Sequence, residues 1–208
     1  LLSPGYVLWP YDESGELMTE SYIAQTFPLA WKYLNMAKVI LLNRSISGKW
    51  KQEWWQFGRK QGIEVQSKVK VLVPSLYSWP GIGSYEDRKG SCAFTASGKG
   101  GGGGYALIPN EESTDVRWIT AIINSKLIWE WIKMEADPQK SSEAASYRGL
   151  DQSVISRIPY AKMPSRRKTE FIRAYEDLLK SVNGAENEEI KSCREQIELI
   201  VMDAFHVK

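Results

Sequence analysis

The 208-residue chain can form one sizeable domain or two small ones, and its 43% hydrophobic content lets it bury a core. With 27 basic and 25 acidic residues the net charge is only +2, so a basic surface for nucleic acid has to be local rather than global. Cys92 and Cys193 are too few and too far apart for a disulfide framework, and no apolar run approaches the roughly 20 residues of a spanning helix, which points to a cytoplasmic protein without a membrane segment.

Residues 6–12 read as a short strand ended by Pro10, and Glu13-Ser14-Gly15 supplies turn chemistry. The opening residues lack the basic start and cleavage site of a signal peptide. A chain that starts without Met is expected to be a piece of a longer protein. Pro28 suits the first turn of a helix, whose apolar stripe is Trp31, Leu34, Ile40 and Leu41 and which ends near Arg44. A second, aromatic helical piece is expected over 50–57, with Gly58 as its C-cap and Arg59, Lys60 and Gln61 just beyond it. At least one of Trp54 and Trp55 is expected in the core.

The middle of the chain reads as β-rich. Strands are expected at 69–74, 91–96 and 105–108, with a polar loop over 81–90 that holds Arg88 and Lys89. Beyond them the pattern turns helical. Thr114 or Asp115 can cap a helix through Ile123, and Ser125 can cap the next, 126–134. Trp129 and Trp131 read as packing residues. Residues 137–147 are loop-like, and 151–157 suit a short helix stopped before Pro159. Phe171, Ile172, Tyr175, Leu178, Leu179 and Val182, then Ile190, Cys193, Ile197, Ile200 and Ala204, mark two amphipathic helices joined at Asn183-Gly184. The expected fold class is therefore α+β: a central antiparallel sheet flanked by helices, with a C-terminal antiparallel helical hairpin.

Catalytic chemistry finds little material here. His206 is the only histidine and stands near the end of the last helix. A structural zinc site needs more Cys and His than the chain has, so no metal site is expected. The run Gly100 to Gly104 invites a phosphate-loop reading, but a P-loop needs a Gly five residues before its Gly-Lys pair and a Ser or Thr after it. Position 93 is Ala and position 100 is Gly, so both requirements fail. The run reads as a loop between strands, or as backbone that lets a large ligand such as DNA come close.

Several segments in order resemble one family. They are Phe27-Pro28, Trp31-Lys32-Tyr33-Leu34-Asn35, Leu41-Leu42-Asn43-Arg44, Trp50, Gly58-Arg59-Lys60-Gln61 and Lys68-Val69-Lys70-Val71-Leu72-Val73-Pro74. Ile122-Ile123-Asn124-Ser125-Lys126-Leu127 follows, and Tyr147-Arg148-Gly149, Asp151-Gln152 and Arg157-Ile158-Pro159-Tyr160 close the series. Together, over about residues 20–165, they resemble the TaqI-like C-terminal specificity domain of adenine-N6 DNA methyltransferases and fused restriction–modification enzymes. The polyglycine run departs from that pattern. The family's catalytic Asn-Pro-Pro-Tyr or Asp-Pro-Pro-Tyr motif and its cofactor-binding glycine motif are absent. The resemblance thus implies a target-recognition domain over 1–164, and the two amphipathic helices make 165–208 a hairpin packed on it or on a partner. It places S-adenosylmethionine in a neighbouring methyltransferase catalytic domain, not in this chain.

Such a domain would grip double-stranded DNA while its neighbour acts on a flipped base. Arg and Lys suit guanine edges, Gln and Asn suit adenine edges, and phosphate contacts set the register. The candidate readers are Arg59, Lys60, Gln61, Arg88, Lys89, Lys99, Arg148 and Gln152, each of which could instead be a solvated surface group. Competing readings are a single-stranded nucleic-acid binder, a carbohydrate module, and a protein-interaction domain that self-associates through the C-terminal helices.

Overall fold

The computed structural model describes residues 7–44, 53–58, 62–80, 83–92, 103–111, 113–139, 147–181 and 188–207. They fall into two compact units. One comprises Leu1–Lys68 with Ser91–Ala93, the other Val69–Gly90 with Phe94–Lys208. Residue 165, where a boundary was expected, lies within the second unit.

In the first unit, Asp12 organises the expected turn. Its carboxylate accepts from the Ser14 and Glu16 amides, both at 2.9 Å, and Gly15 takes a positive φ of 85°. The strand expected over 6–12 is reduced to a single bridge between Tyr11 and Leu17. Three helices follow: α1 (Glu20–Thr26), α2 (Pro28–Met36) and α3 (Lys38–Leu42). Thr19 caps α1 through the Tyr22 amide, and Pro28 opens α2 as expected.

Of the expected stripe, Trp31, Leu34 and Leu41 are half-buried, whereas Ile40 is 72% exposed, and neither α2 nor α3 has a fully buried residue. A break at Ala37 divides the expected single helix, and Leu29, Tyr33 and Met36 also face solvent. Residues 53–58 form turns rather than the expected helix. There Trp31, Trp54 and Trp55 contact one another with ring centroids 5.3–5.6 Å apart, and Trp55 is the buried member. Arg44 closes the segment, donating to the Trp54 and Gln56 carbonyls at 2.7 and 2.9 Å.

The second unit has six short strands among the described residues: β1 (Lys70–Pro74), β2 (Leu76–Tyr77), β3 (Tyr85–Asp87), β4 (Gly104–Leu107), β5 (Pro138–Gln139) and β6 (Tyr147–Gly149). They form two antiparallel sheets, ordered β3-β1-β4 and β2-β6-β5, in place of one central sheet. Of the strand expected over 91–96, residues 93–96 lie outside the described residues and 91–92 are not strand. β1 pairs on one side with β4, in the strand expected over 105–108, and on the other with β3, inside the expected polar loop. Asp87 turns inward there and meets Lys70 across the ladder at 2.6 Å, with the two side chains only 2% and 0% exposed. A charge pair can occupy a core position when each charge satisfies the other.

Helices pack on these sheets: α4 (Val116–Ile123), α5 (Lys126–Glu135), α6 (Gln152–Ile155), α7 (Lys168–Ser181) and α8 (Glu188–Ala204). α4 is apolar almost all round, as suits a helix in a core, and contacts β1, β3 and α8. Trp118 is buried edge-on against Phe171 of α7, and its indole donates to the Ala161 carbonyl at 2.9 Å. Tyr175, Ile190, Ile197 and Ile200 are buried from the expected faces of α7 and α8, which pack on each other. The turn at Asn183-Gly184 and Val182 lie outside the described residues. The observed class is α+β.

Candidate functional site

Arg59, Lys60, Gln61 and Lys99 lie outside the described residues. The other four candidates occupy two places in the second unit.

Arg88 and Lys89 form the turn after β3. Lys89 is exposed, and its amide is 3.4 Å from the Asp87 carboxylate. Arg88 is engaged elsewhere: its guanidinium bonds Glu176 of α7 at 2.7 Å and lies 3.8 Å from Glu86. Glu176 also accepts from Arg117 at 2.8 Å, and Arg117 grips Asp115, the N-cap of α4, at 2.7 Å. Burial pushes the Asp115 carboxyl up, but the bonds from the Arg117 side chain and amide outweigh it and hold the group below its usual range. The Asp115 carboxylate in turn raises the Arg117 guanidinium further. This chain of charges joins the β3 turn, α4 and α7, so Arg88 has a structural employment that its sequence neighbourhood did not disclose.

Arg148 and Gln152 occupy the segment from β6 to α6. Arg148 is half-buried on the central strand of its sheet, opposite Tyr77 of β2 and Pro138 of β5. Its Nε is buried and has no hydrogen-bond partner among the described residues. Leu150 locks the segment, buried itself and donating its amide to the Ser75 carbonyl at 2.8 Å. Asp151 caps α6 through the Val154 amide at 2.9 Å, and Gln152 is exposed at the first helical position.

Between these two places stands the junction of α4 and α5. Asn124 is a clamp. Its side-chain oxygen accepts from the Ser84 amide and hydroxyl at 2.8 and 3.0 Å, and its amino group donates to the Ser84 carbonyl at 2.7 Å. Because the Ser84 amide only donates and its carbonyl only accepts, the amide orientation is fixed. Ser125 caps α5 through the Ile128 amide at 3.2 Å, as expected. Glu198 of α8 accepts from the next two amides, Lys126 at 3.0 Å and Leu127 at 3.2 Å. Sequence reasoning saw a helix break and a cap here. It missed the clamp and the second acceptor, because Ser84 and Glu198 are remote in sequence. Tyr77 is buried below, donating to the Ile123 carbonyl at 2.6 Å, with its hydroxyl pKa pushed up by burial and then by the Glu198 charge.

A cleft of about 730 Å³ in the first unit is lined by Glu16, Glu20, Glu53 and Trp55. Its carboxylates repel rather than attract a phosphate backbone. Among the described residues no group of His, Cys, Asp or Glu is placed to hold a metal, and no helix is long and apolar enough to cross a membrane.

No protein-family model matches the chain. Over 135 residues it is 27% identical to the type II restriction enzyme and methyltransferase RM.Eco57I of Escherichia coli. That match takes in 61% of this chain but only 13% of the relative's length. The chain is thus related to part of a restriction–modification protein.

Proposed function

We propose that this chain is a cytoplasmic, sequence-specific recognition domain for double-stranded DNA, of the TaqI-like specificity type. It serves a restriction–modification protein whose methyl transfer takes place in a separate domain that binds S-adenosylmethionine. The similarity to RM.Eco57I carries the reading. The ordered segments over residues 20–165 support the finer assignment, and Arg148 supports a reader at the β6 to α6 segment.

Arg148 is the first choice among the candidates. A guanidinium carried on a firmly held strand suits bidentate bonding to a guanine edge through its two terminal amino groups. Gln152, exposed four residues later, suits an adenine edge. Lys89 suits phosphate, since an exposed ammonium sets register without reading sequence. Arg88 is the weakest reader because Glu176 already holds it. Arg59, Lys60, Gln61 and Lys99 remain candidates on sequence grounds.

The test is a duplex titration. A labelled duplex selected from a randomised pool by the wild-type chain should bind more weakly as salt rises, through counterion release. Arg148→Ala should weaken binding to the selected duplex by about 5- to 150-fold, the discrimination a good bidentate base contact supplies. The matching single strand should bind less well than the duplex. Failure to select any duplex, or a preference for the single strand, overturns the reading.

A further inference from the structure

The clamp at Asn124 holds more than Ser84. The Asn124 backbone carbonyl accepts from the indole N–H of Trp79 at 3.0 Å. A Cβ built on Gly83 would lie only 2.7 Å from the Asn124 side-chain oxygen, so the chain approaches this residue as closely as a glycine permits. One asparagine therefore fixes Ser84 with its side chain and Trp79 with its backbone. Yet Trp79 is 37% exposed, whereas the other described tryptophans are buried or half-buried.

Core packing does not account for this arrangement. A tryptophan that only fills a core hides its ring; this one has its polar edge tied down and a large part of its surface in solvent. An aromatic side chain held in place before binding loses little conformational entropy on contact, which is how rigid aromatic anchors serve binding surfaces. Its position also matters. Trp79 follows β2, whose Tyr77 lies opposite Arg148. Trp79 lies two residues beyond Tyr77, in the turn that follows β2. The β2–β6 end of the sheet thus carries a half-buried guanidinium, and the turn that follows β2 carries an exposed ring.

We propose that Trp79 is a DNA contact residue whose indole stacks on a base face beside the base edge met by Arg148. This rests on the DNA-recognition reading above. In an intact duplex the ring reaches a base face by wedging into a base step, as apolar side chains do when they kink the duplex.

The experiment uses the 208-residue chain and the labelled duplex selected by the wild type. Trp79→Ala should weaken binding roughly 5- to 150-fold, the range that stacking one base on an aromatic ring provides. Trp79→Phe keeps a ring and should retain most of the affinity. Subtracting the emission of Trp79→Phe from that of the wild type isolates the Trp79 signal, and adding the duplex should quench it. That measurement stands even where Trp79→Ala fails to fold. Equal affinity of folded Trp79→Ala and wild type, or a difference emission indifferent to the duplex, overturns the Trp79 assignment and leaves DNA recognition standing. A wild type that selects no duplex removes both.

Discussion

Removing the Asn124 side chain tests the joint on which the second unit turns. Asn124→Ala deletes three hydrogen bonds to Ser84, a residue only 6% exposed. The Ser84 amide and carbonyl are then left with desolvated, unfilled bonding capacity, at about 1–3 kcal/mol for each group. Partial entry of water offsets some of this, so a loss of about 2–4 kcal/mol is expected. Asn124→Asp sharpens the test. It keeps acceptors for the Ser84 amide and hydroxyl but turns a carboxylate oxygen toward the Ser84 carbonyl, where a donor is needed. Burial and that carbonyl should raise the new carboxyl's pKa, so the variant should lose stability as pH rises through it and recover when the acid is protonated and can donate. Urea unfolding followed by far-UV circular dichroism reads both effects, and the thermal midpoint should fall by roughly 2–4 °C per kcal/mol. An Asn124→Ala chain within about 0.5 kcal/mol of wild type, the scatter of ordinary surface substitutions, would refute the clamp.

Two further outcomes follow from the charges. Lys70→Met takes the ammonium away from the buried Asp87 carboxylate and should destabilise the second unit by about 3–5 kcal/mol, while Lys70→Met with Asp87→Leu should recover much of that in the same urea assay. Asp115 has a folded pKa below its unfolded value of about 3.9, so its contribution is complete above that value and is lost as pH falls through the folded pKa. Acid unfolding of Asp115→Asn should therefore show a shallower decline below about pH 4 than wild type; an identical acid limb would remove Asp115 from the account.

Local chemistry was readable from the sequence and remote pairing was not. The caps at Asp115, one of two residues expected there, and at Ser125 are short-range bonds between a side chain and an amide two or three residues on, so residue type and spacing sufficed to find them, whereas Asp151, expected inside its helix, caps it instead. β3 stayed hidden because Asp87 looks like loop chemistry until Lys70 is placed opposite it. Arg88 looked available because its partner Glu176 is 88 residues away. In the α2 and α3 segment the periodicity found three half-buried positions, Trp31, Leu34 and Leu41, but the break at Ala37 turns Ile40 off that face. For the candidate site, the resemblance pointed to the Arg148 segment, but Trp79 emerged only when the Asn124 carbonyl was found beneath its indole.

The carboxylate that Glu198 sets on the first amides of α5 has a consequence for the order in which the protein is made. The start of α5 is complete only when a residue 72 positions later has arrived. During synthesis, at roughly 5–20 residues per second, α4, α5 and the strands beside them emerge seconds before α8 does. The second unit therefore cannot finish folding progressively behind the ribosome. It has to wait for its last helix, and a ribosome that stalls before residue 198 leaves the first two amides of α5 without their carboxylate acceptor.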